Sequence, residues 1–410
     1  MTDQGSSQRV NKRRATLALA PGLVAFSMGQ TVLFAVAGPV IREIGLTEFQ
    51  LGVIVSAAAV VFVISSPIWG RLSDRWGRKT VILTGLFTYS VISLAFAGVM
   101  DVGLRGWMGA GAVFVTLLSL RVLYAALGTG IQPSSVALMA DLSSDDDRSS
   151  AVAIVGAAFG FGMILGPAAA ALLVGFGVLT PLYAIAGLGF VCLVIALVFL
   201  DAPPAKAADK GPKEPLDYGR LVPIMAITLL MFTATSGLQQ TIAFYVQDYL
   251  GADAMEAARM TGICFVAMAV ASLISQGILI QLLKPGPGAL LKIGLPIMAA
   301  GMVLYALPAN FWQIVIACAV IGLGFGFANP GVISAASLRT GSKSQGAAAG
   351  IIQALMAAGY IFGPLVGTGS YQANPMLAAG FITVCIGLSA LIALTLRLGP
   401  AKRTEAQPAL

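Results

Sequence analysis

Long apolar runs alternate with short polar segments along the whole chain. Twelve runs have about the 20 residues that an α-helix needs to cross a membrane. They predict an all-α membrane protein with twelve transmembrane helices, α1–α12 in chain order. Their approximate cores are 17–40, 51–69, 80–99, 112–139, 151–174, 180–200, 221–246, 257–283, 290–307, 311–338, 346–370 and 377–396.

One connection differs from the other short links. Residues 201–220 are polar, charged and rich in proline, which is typical of a solvated linker. The sequence therefore predicts two six-helix bundles, 17–200 and 221–398. A tail of residues 1–16 precedes the first bundle, and a tail of residues 399–410 follows the second.

The second bundle repeats features of the first. Gly162–Pro167 in α5 returns as Gly359–Pro364 in α11, at a shift of 197 residues. Gln30–Phe34 in α1 returns as Gln240–Phe244 in α7, at a shift of 210 residues. Two halves with the same internal order predict a parallel repeat, in which a substrate site lies between the halves near the middle of the bilayer.

Composition agrees with a membrane protein and excludes several kinds of chemistry. Hydrophobic residues make up 58% of the chain and charged residues 10%, against about 25% charged in an ordinary soluble domain. There is no histidine, which excludes catalysis and metal binding by histidine. The four cysteines lie within apolar runs without metal-ligand spacing, so we expect them to be buried.

The basic residues lie mostly on one side of the predicted membrane. Of the 24 Lys and Arg residues, 20 fall on the side of the two tails and the linker, three fall on the other side, and Arg121 lies within a helix. By the positive-inside rule, both termini and the linker are expected in the cytoplasm. We call the side with the 20 basic residues the inner side and the opposite side the outer side.

The loop after α2 carries a recognisable motif, Gly70-Arg-Leu-Ser-Asp74-Arg75-Trp-Gly77-Arg78-Lys. It resembles the signature loop of the major facilitator superfamily, G-x-L-[SA]-D-R-x-G-R-[RK]. Its glycines permit tight turns. The resemblance implies that Asp74 binds the N-terminal end of α11, where free N–H groups favour an anion, and that Asp141 belongs to the same cluster. Gly70, Asp74, Arg75, Gly77, Arg78 and Asp141 would then form a conformational latch on the inner side.

Residues 121–173 resemble α4 and α5 of the drug–proton antiporter branch of that superfamily, especially the tetracycline-efflux group. The resemblance rests on Arg121, Gly128, Asp141, Arg148 and the segment Gly160-Phe-Gly162…Gly166-Pro167. In the branch, Gly162, Gly166 and Pro167 correspond to the antiporter motif. Such glycines allow close helix contact, although plain helix packing would also account for them.

The resemblance implies a secondary transporter of the bacterial inner membrane that exports a small organic molecule by alternating access, coupled to protons. Its partners would be that molecule, protons and lipid. We expect a monomer that needs no cofactor, metal or nucleic acid. Carriage of a metabolite, siderophore or sugar, with other coupling or with import, stays open. A membrane enzyme would need catalytic groups that the sequence lacks, and a sensor would need a signalling domain that the tails are too short to hold.

Arg121 is the one basic residue predicted at mid-membrane depth. It lies about ten residues from the outer end of α4, on the order of 15 Å deep. A charge at that depth costs at least a few kcal/mol and should face a cavity or a partner. Tyr124, Gly128 and Gln132 follow on the same helix face. The alternatives are a structural arginine, contact with an anionic or neutral cargo, and proton coupling.

None of the 17 acidic residues is predicted at mid-depth. Asp248, at the outer end of α7, and Asp141, at the inner end of α4, are the nearest candidates for proton coupling, or are simple helix caps. Without a buried anion, a neutral or anionic cargo is favoured over a strongly cationic one. The other candidates for the substrate cavity are polar or aromatic residues of the membrane helices: Gln30, Phe34, Tyr124, Gln240, Phe244, Asn329, Gln353 and Tyr360.

Overall fold

The computed structural model describes residues 2–143, 148–201, 218–307, 310–340 and 345–396. Within them, twelve helices are long and apolar enough to cross a membrane, as predicted. Their bounds are Arg13–Ile44, Glu48–Trp76, Arg78–Leu104, Ala110–Asp141, Ala153–Phe176, Thr180–Phe199, Leu221–Leu250, Ala254–Leu283, Pro287–Ala306, Phe311–Leu338, Ala347–Ala373 and Pro375–Thr395. These are α1–α12, and the all-α fold class is confirmed. The acidic run 145–147 lies outside the described residues.

One predicted helix is interrupted. The α4 span consists of Ala110–Gly128 and Ile131–Asp141, with a break at Thr129–Gly130. Pro133 explains it, because a proline ring clashes with the carbonyl four residues earlier, here that of Thr129. Trp69 Nε1 donates a 2.6 Å hydrogen bond to the carbonyl of Ala126, which the break leaves without its helical partner.

The membrane-spanning helices carry apolar residues on both their buried and their exposed faces. In α6, Val191, Val194 and Val198 are exposed, while Cys192 and Ala196 on the other face are buried. In a membrane both faces can be apolar, because one packs on protein and the other meets lipid. All four cysteines are buried, as expected.

The chain divides into two compact units. Unit 1 comprises Met1–Lys210, Thr235–Val266 and Tyr360–Ala378, and unit 2 comprises Gly211–Ala234, Ala267–Gly359 and Ala379–Leu410. The division into bundles at 17–200 and 221–398 stays a prediction.

Unit 1 has an aromatic core around α1. Phe26, Tyr89 and Tyr124 are buried together, and their ring centroids lie 5.8–6.3 Å apart. The Tyr89 hydroxyl donates a 2.6 Å hydrogen bond to the carbonyl of Ala25, so its polar end is satisfied within the apolar core. This core fixes the position of the α1 segment that carries Gln30.

Unit 2 packs α9 and α10 closely through small residues. A Cβ added to Gly324 of α10 would lie 2.6 Å from the carbonyl of Gly294, and one added to Gly301 of α9 would lie 2.8 Å from the Ile321 nitrogen. These backbones approach each other because neither glycine has a side chain.

Candidate transport site

Arg121, Gln30 and Tyr124 form a hydrogen-bonded group in unit 1. Arg121 Nη2 donates to Gln30 Oε1 at 3.0 Å, and Gln30 Nε2 donates to the Tyr124 hydroxyl at 3.0 Å. The guanidinium carbon of Arg121 lies 5.2 Å from the centroid of the Tyr124 ring. The Gln30 amide thus connects the Arg121 guanidinium to the hydroxyl of Tyr124, which lies one turn further along α4. The sequence predicted all three residues as cavity residues.

The Arg121 guanidinium has one hydrogen-bond donor that no described residue accepts. Arg121 is half-buried, and its Nε atom is buried without a hydrogen-bond partner among the described residues. Arg121 and Tyr124 line a cavity of about 30 Å³ together with Gly29, Ser93 and Leu182. Such a volume holds a water-sized molecule, whereas sites for drug-sized ligands measure roughly 300–1,000 Å³. The cavity therefore fits water or a small polar group of a ligand, and not a whole organic molecule.

The other predicted cavity residues differ in their surroundings. Phe34 is half-buried one turn after Gln30. Gln240 is buried, and Phe244 is buried beneath the Arg42 guanidinium, whose carbon lies 4.7 Å from the ring centroid. Tyr360 is half-buried and hydrogen-bonded to the side chain of Gln239. All of these residues belong to unit 1.

Two further predicted residues belong to unit 2. Asn329, which directly precedes Pro330 in α10, is half-buried, and Gln353 of α11 is exposed. Their part in a common site stays a prediction.

Sequence reasoning missed Gln239. Its side chain is 8% exposed, and Oε1 has no hydrogen-bond partner among the described residues. The 210-residue repeat pointed to Gln240, the counterpart of Gln30. Gln239, next to it, could have been found from the polar run Thr233–Thr241. This run is unusually rich in hydroxyl and amide groups for a membrane helix.

The antiporter-motif glycines bring α5 against α1. A Cβ added to Gly162 would collide with the Ser27 hydroxyl and the Val24 carbonyl, and one added to Gly166 would collide with the Thr31 hydroxyl. The two glycines are four residues apart, so they form one face without side chains. This face lets the α5 backbone approach α1 along the segment that carries Gln30.

The prolines of the two repeated motifs lie against helices of the opposite half. A Cβ added to Gly262 of α8 would lie 2.9 Å from the Pro167 carbonyl, and one added to Gly52 of α2 would lie 2.8 Å from the Pro364 carbonyl. Gly52 and Gly262 are 210 residues apart, the same shift as between Gln30 and Gln240. The repeat therefore extends to tertiary contacts.

The motif loop on the inner side forms a compact ionic cluster. Arg78 Nη1 lies 2.6 Å from Asp74 Oδ1, Arg78 Nε lies 3.2 Å from Asp141 Oδ2, and Arg78 Nη1 donates to the Ser73 hydroxyl at 2.9 Å. Gly77 has φ +88°, which explains the glycine at this turn. Asp141 therefore pairs with Arg78, in the same cluster as Asp74.

Other members of the predicted latch are accessible. Arg75 is exposed, the Asp74 side chain is 56% exposed, and a Cβ added to Gly70 would meet nothing within 4 Å. The helix that contains α11 begins at Gln345, directly after residues 341–344, which lie outside the described residues. Contact of Asp74 with α11 therefore stays a prediction.

Asp248, a predicted proton-coupling candidate, is part of a second ionic cluster at the outer ends of the helices. Its two oxygens accept hydrogen bonds from Arg42 Nη1 at 2.6 Å and from Arg42 Nη2 at 2.9 Å. The Tyr371 hydroxyl donates a third bond at 2.7 Å. The position of Asp248 was predicted from sequence, but its partners were not.

A family model confirms the resemblance of the motifs. The model described as Major Facilitator Superfamily matches residues 19–364 and 224–409. Multidrug resistance protein 2 of Bacillus subtilis (strain 168) is 26% identical over 380 residues, which are 89% of this chain and 91% of that protein. Quinolone resistance protein NorA of Staphylococcus aureus (strain COL) is 23% identical over 334 residues, 80% of this chain and 82% of that protein.

Solved structures show the same fold. A bacterial homologue of the human lysosomal transporter Spinster, solved in an inward-facing unoccupied conformation, aligns with TM-score 0.71 and 16% identity over 95% of this chain and 99% of its own. The human organic anion transporter MFSD10 aligns with TM-score 0.65 and 19% identity over 93% and 99%. The chain therefore belongs to the major facilitator superfamily and is a membrane transporter, not an enzyme.

Proposed function

We propose that this transporter exports a small amphipathic organic molecule, neutral or anionic, across the bacterial cytoplasmic membrane in exchange for protons. It acts as a monomer with both termini in the cytoplasm. Export is supported by the relatives, whose names denote resistance to several drugs and to quinolones. The basic asymmetry of the sequence supports the orientation.

The observation that carries the cargo class is the fixed positive charge of Arg121. Gln30 holds one arm of the guanidinium and the Tyr124 ring lies beside it, while Nε remains unpaired among the described groups. A cationic cargo would be repelled by this charge, whereas a carbonyl, hydroxyl or carboxylate could accept its unused hydrogen bond. Because the adjoining cavity holds only a water-sized group, we propose that the apolar body of the cargo lies outside it. Phe34 and Tyr360 would contribute aromatic surface.

In this proposal, Asp141 and Asp248 respond to protons on opposite sides of the membrane. Asp141 belongs to the Arg78 cluster on the inner side, and Asp248 belongs to the Arg42 cluster on the outer side. Each carboxylate is paired with an arginine, so protonation would release a conformational contact and need not deliver a proton to the cargo. The Asp74 loop would close the inner side in alternation with the outer cluster.

A binding screen tests the cargo class. Purified protein is heated with matched panels of neutral, anionic and cationic amphipathic compounds, with sugars and simple metabolites as comparison sets. We expect neutral and anionic amphipathic compounds to raise the thermal midpoint, and the shift to shrink in Arg121→Gln. Stabilisation by sugars or metabolites alone would favour the alternative of a nutrient carrier. Equal stabilisation by the cationic panel would contradict the role of Arg121 in cargo choice.

A further inference from the structure

Four side chains from four helices meet at the outer ends of α1, α2, α7 and α11. We call Arg42, Glu48, Asp248 and Tyr371 the outer cluster. Arg42 lies at its centre: Nη1 and Nη2 bind the two oxygens of Asp248, while Nε donates to Glu48 Oε1 at 2.8 Å. The cation therefore satisfies two carboxylates at once. Tyr371 completes the cluster with its bond to Asp248.

The surroundings of Arg42 favour a well-formed pair over a loose surface contact. The guanidinium lies 4.7 Å from the Phe244 ring centroid and 6.0 Å from that of Tyr371. Aromatic rings attract the cation and remove part of its water. Bidentate geometry adds specificity, because both oxygens of one carboxylate must be ionised acceptors for the planar fork to bind them.

The cluster joins the two halves of the sequence. Arg42 and Glu48 precede the linker, whereas Asp248 and Tyr371 follow it. Contacts deeper along α2 and α11 have the same character: the Ser56 hydroxyl donates to the Ile361 carbonyl at 2.7 Å, and Gly52 lies against Pro364 and Thr368. If the protein works by alternating access, as the proposed function requires, these outer contacts must separate whenever cargo leaves.

We propose that Asp248 is a proton-binding site that controls opening of the outer side. A proton from the outer solution would neutralise Asp248 and remove the anion that Arg42 binds across the two halves. Protons bind more tightly to the state in which Asp248 has lost its cation, so acid outside favours separation of the outer ends. This inference rests on the proposed export by alternating access. The proton that Asp248 binds returns to the outer solution when the Arg42 pair re-forms, so it controls opening of the outer side and is separate from any proton that is carried across.

The two carboxylates have different roles in the outer cluster. The Asp248 side chain is 44% exposed and accessible to protons, whereas that of Glu48 is 16% exposed. Glu48 is a positioning residue, since it comes from the same half as Arg42 and would keep that side chain in place after Asp248 is released. Among the described residues in contact with Asp248, Arg42 is the charged partner, Tyr371 is titratable, and the neighbouring Gln247 is neutral and also accepts from Arg42 at 3.4 Å.

Distance measurements between the outer ends test the proposal. Spin labels are attached to Glu43→Cys on α1 and Ala373→Cys on α11, both exposed positions, in the full-length protein without cargo. The native cysteines are buried, which limits their labelling. Pulsed electron paramagnetic resonance then gives the populations with close and separated labels at pH 7.5 and pH 3.5, a range that includes the ordinary aspartate pKa of about 3.9.

We expect pH 3.5 to raise the ratio of separated to close populations about two- to threefold, since complete loss of a partly exposed ion pair would give at most about fivefold. Asp248→Asn should show the raised ratio already at pH 7.5 and should lose the pH response. Arg42→Gln removes the same pair from the other side and should give the same result. Asp101→Asn is the matched control, because it removes the acid of the exposed Asp101–Arg105 pair at the C-terminal end of α3.

A close population that is unchanged by acid and by both outer-cluster variants would overturn the proposal. So would a full pH response in Asp248→Asn, or the same opening in Asp101→Asn. Because no cargo is present, an incorrect cargo assignment leaves this result unaffected. Conversely, a failed outer-cluster test leaves the binding screen valid.

Discussion

Arg121 is the one basic residue that the sequence predicts at mid-membrane depth. A guanidinium at the centre of a bilayer costs at least a few kcal/mol, and the Gln30 hydrogen bond and the Tyr124 ring offset only part of that cost. The buried Nε has no hydrogen-bond partner among the described residues, and an unsatisfied buried donor costs further free energy. A residue retained purely for structure would be expected to satisfy all its donors, so the geometry favours a functional role.

Two substitutions separate the possible roles of Arg121. Arg121→Lys keeps the charge and loses the planar fork, and Arg121→Gln loses the charge as well. If the guanidinium binds cargo, both variants should weaken binding, Gln by roughly 10-fold to 100-fold, the equivalent of a charged hydrogen bond of about 1.5–3 kcal/mol. If it supports proton coupling instead, Lys should retain pH dependence and Gln should lose it.

The measurements are calorimetric binding and pH-dependent transport, with Arg105→Gln as a control for removal of an exposed arginine. Normal affinity and normal pH dependence in Arg121→Gln would rule out both functional roles. A lower thermal midpoint alone would then identify a structural arginine.

Several site residues could be predicted because their chemistry is rare in membrane helices. A lone arginine, and an amide at a repeated position, were sufficient to find Arg121 and Gln30. Arg42 was not predicted, because an arginine at a helix end looks like an ordinary interfacial residue until Asp248 is placed beside it. Partners more than 200 positions apart depend on tertiary packing, which a single sequence does not specify.

At the scale of helices, close packing of α5 on α1 depends on missing side chains. Gly162 and Gly166 lie against the α1 backbone, whereas a Cβ added to Gly160 in the same helix would meet nothing within 4 Å. This contrast supplies a matched pair of substitutions in one helix.

Gly162→Ala should lower the free energy of unfolding by about 1–3 kcal/mol, the usual cost of overpacking. Gly160→Ala should have no such cost and should slightly favour the helix. Thermal unfolding in detergent measures both variants under identical conditions. Equal midpoints for Gly162→Ala and Gly160→Ala would contradict the close contact with α1.

The inner ionic cluster gives a second prediction at this scale. Asp74→Asn removes one of the two acids paired with Arg78, and in the latch hypothesis it also removes the anion expected at the α11 terminus. The effect at a helix terminus is about 0.3–1 kcal/mol. We expect faster labelling of inner-side cysteine reporters, measured with an impermeant maleimide in inverted vesicles, and no change in Asp101→Asn. Unchanged labelling with normal transport in Asp74→Asn would remove the latch role.

The sequence predicted helix number and approximate position well, because a 20-residue apolar run has few alternatives to a membrane helix. It did not predict the break in α4. Pro133 and Gly130 were visible, but many membrane helices contain proline without interruption. The hydrogen bond from Trp69 to the freed carbonyl, which compensates for the break, is a tertiary contact.

At the scale of the whole molecule, the 20-to-3 distribution of basic residues predicts the orientation. Reporter fusions at Lys210 and after the last residue should both report the cytoplasm. A fusion at Gly106, in the short connection between α3 and α4 on the outer side, should report the opposite compartment. A periplasmic signal from Lys210 or from the C-terminus would contradict both the orientation and the assignment of inner and outer clusters.

Transport in liposomes under an imposed pH gradient is the decisive measurement for proton-coupled export. Purified protein is reconstituted with a cargo from the binding screen, and cargo movement is followed with and without the gradient, alongside protein-free liposomes and Arg121→Gln. We predict cargo movement against its own gradient, opposite in direction to proton flow and abolished by a protonophore. Movement that is unaffected by the pH gradient, or that follows the protons in the same direction, would contradict proton-coupled export.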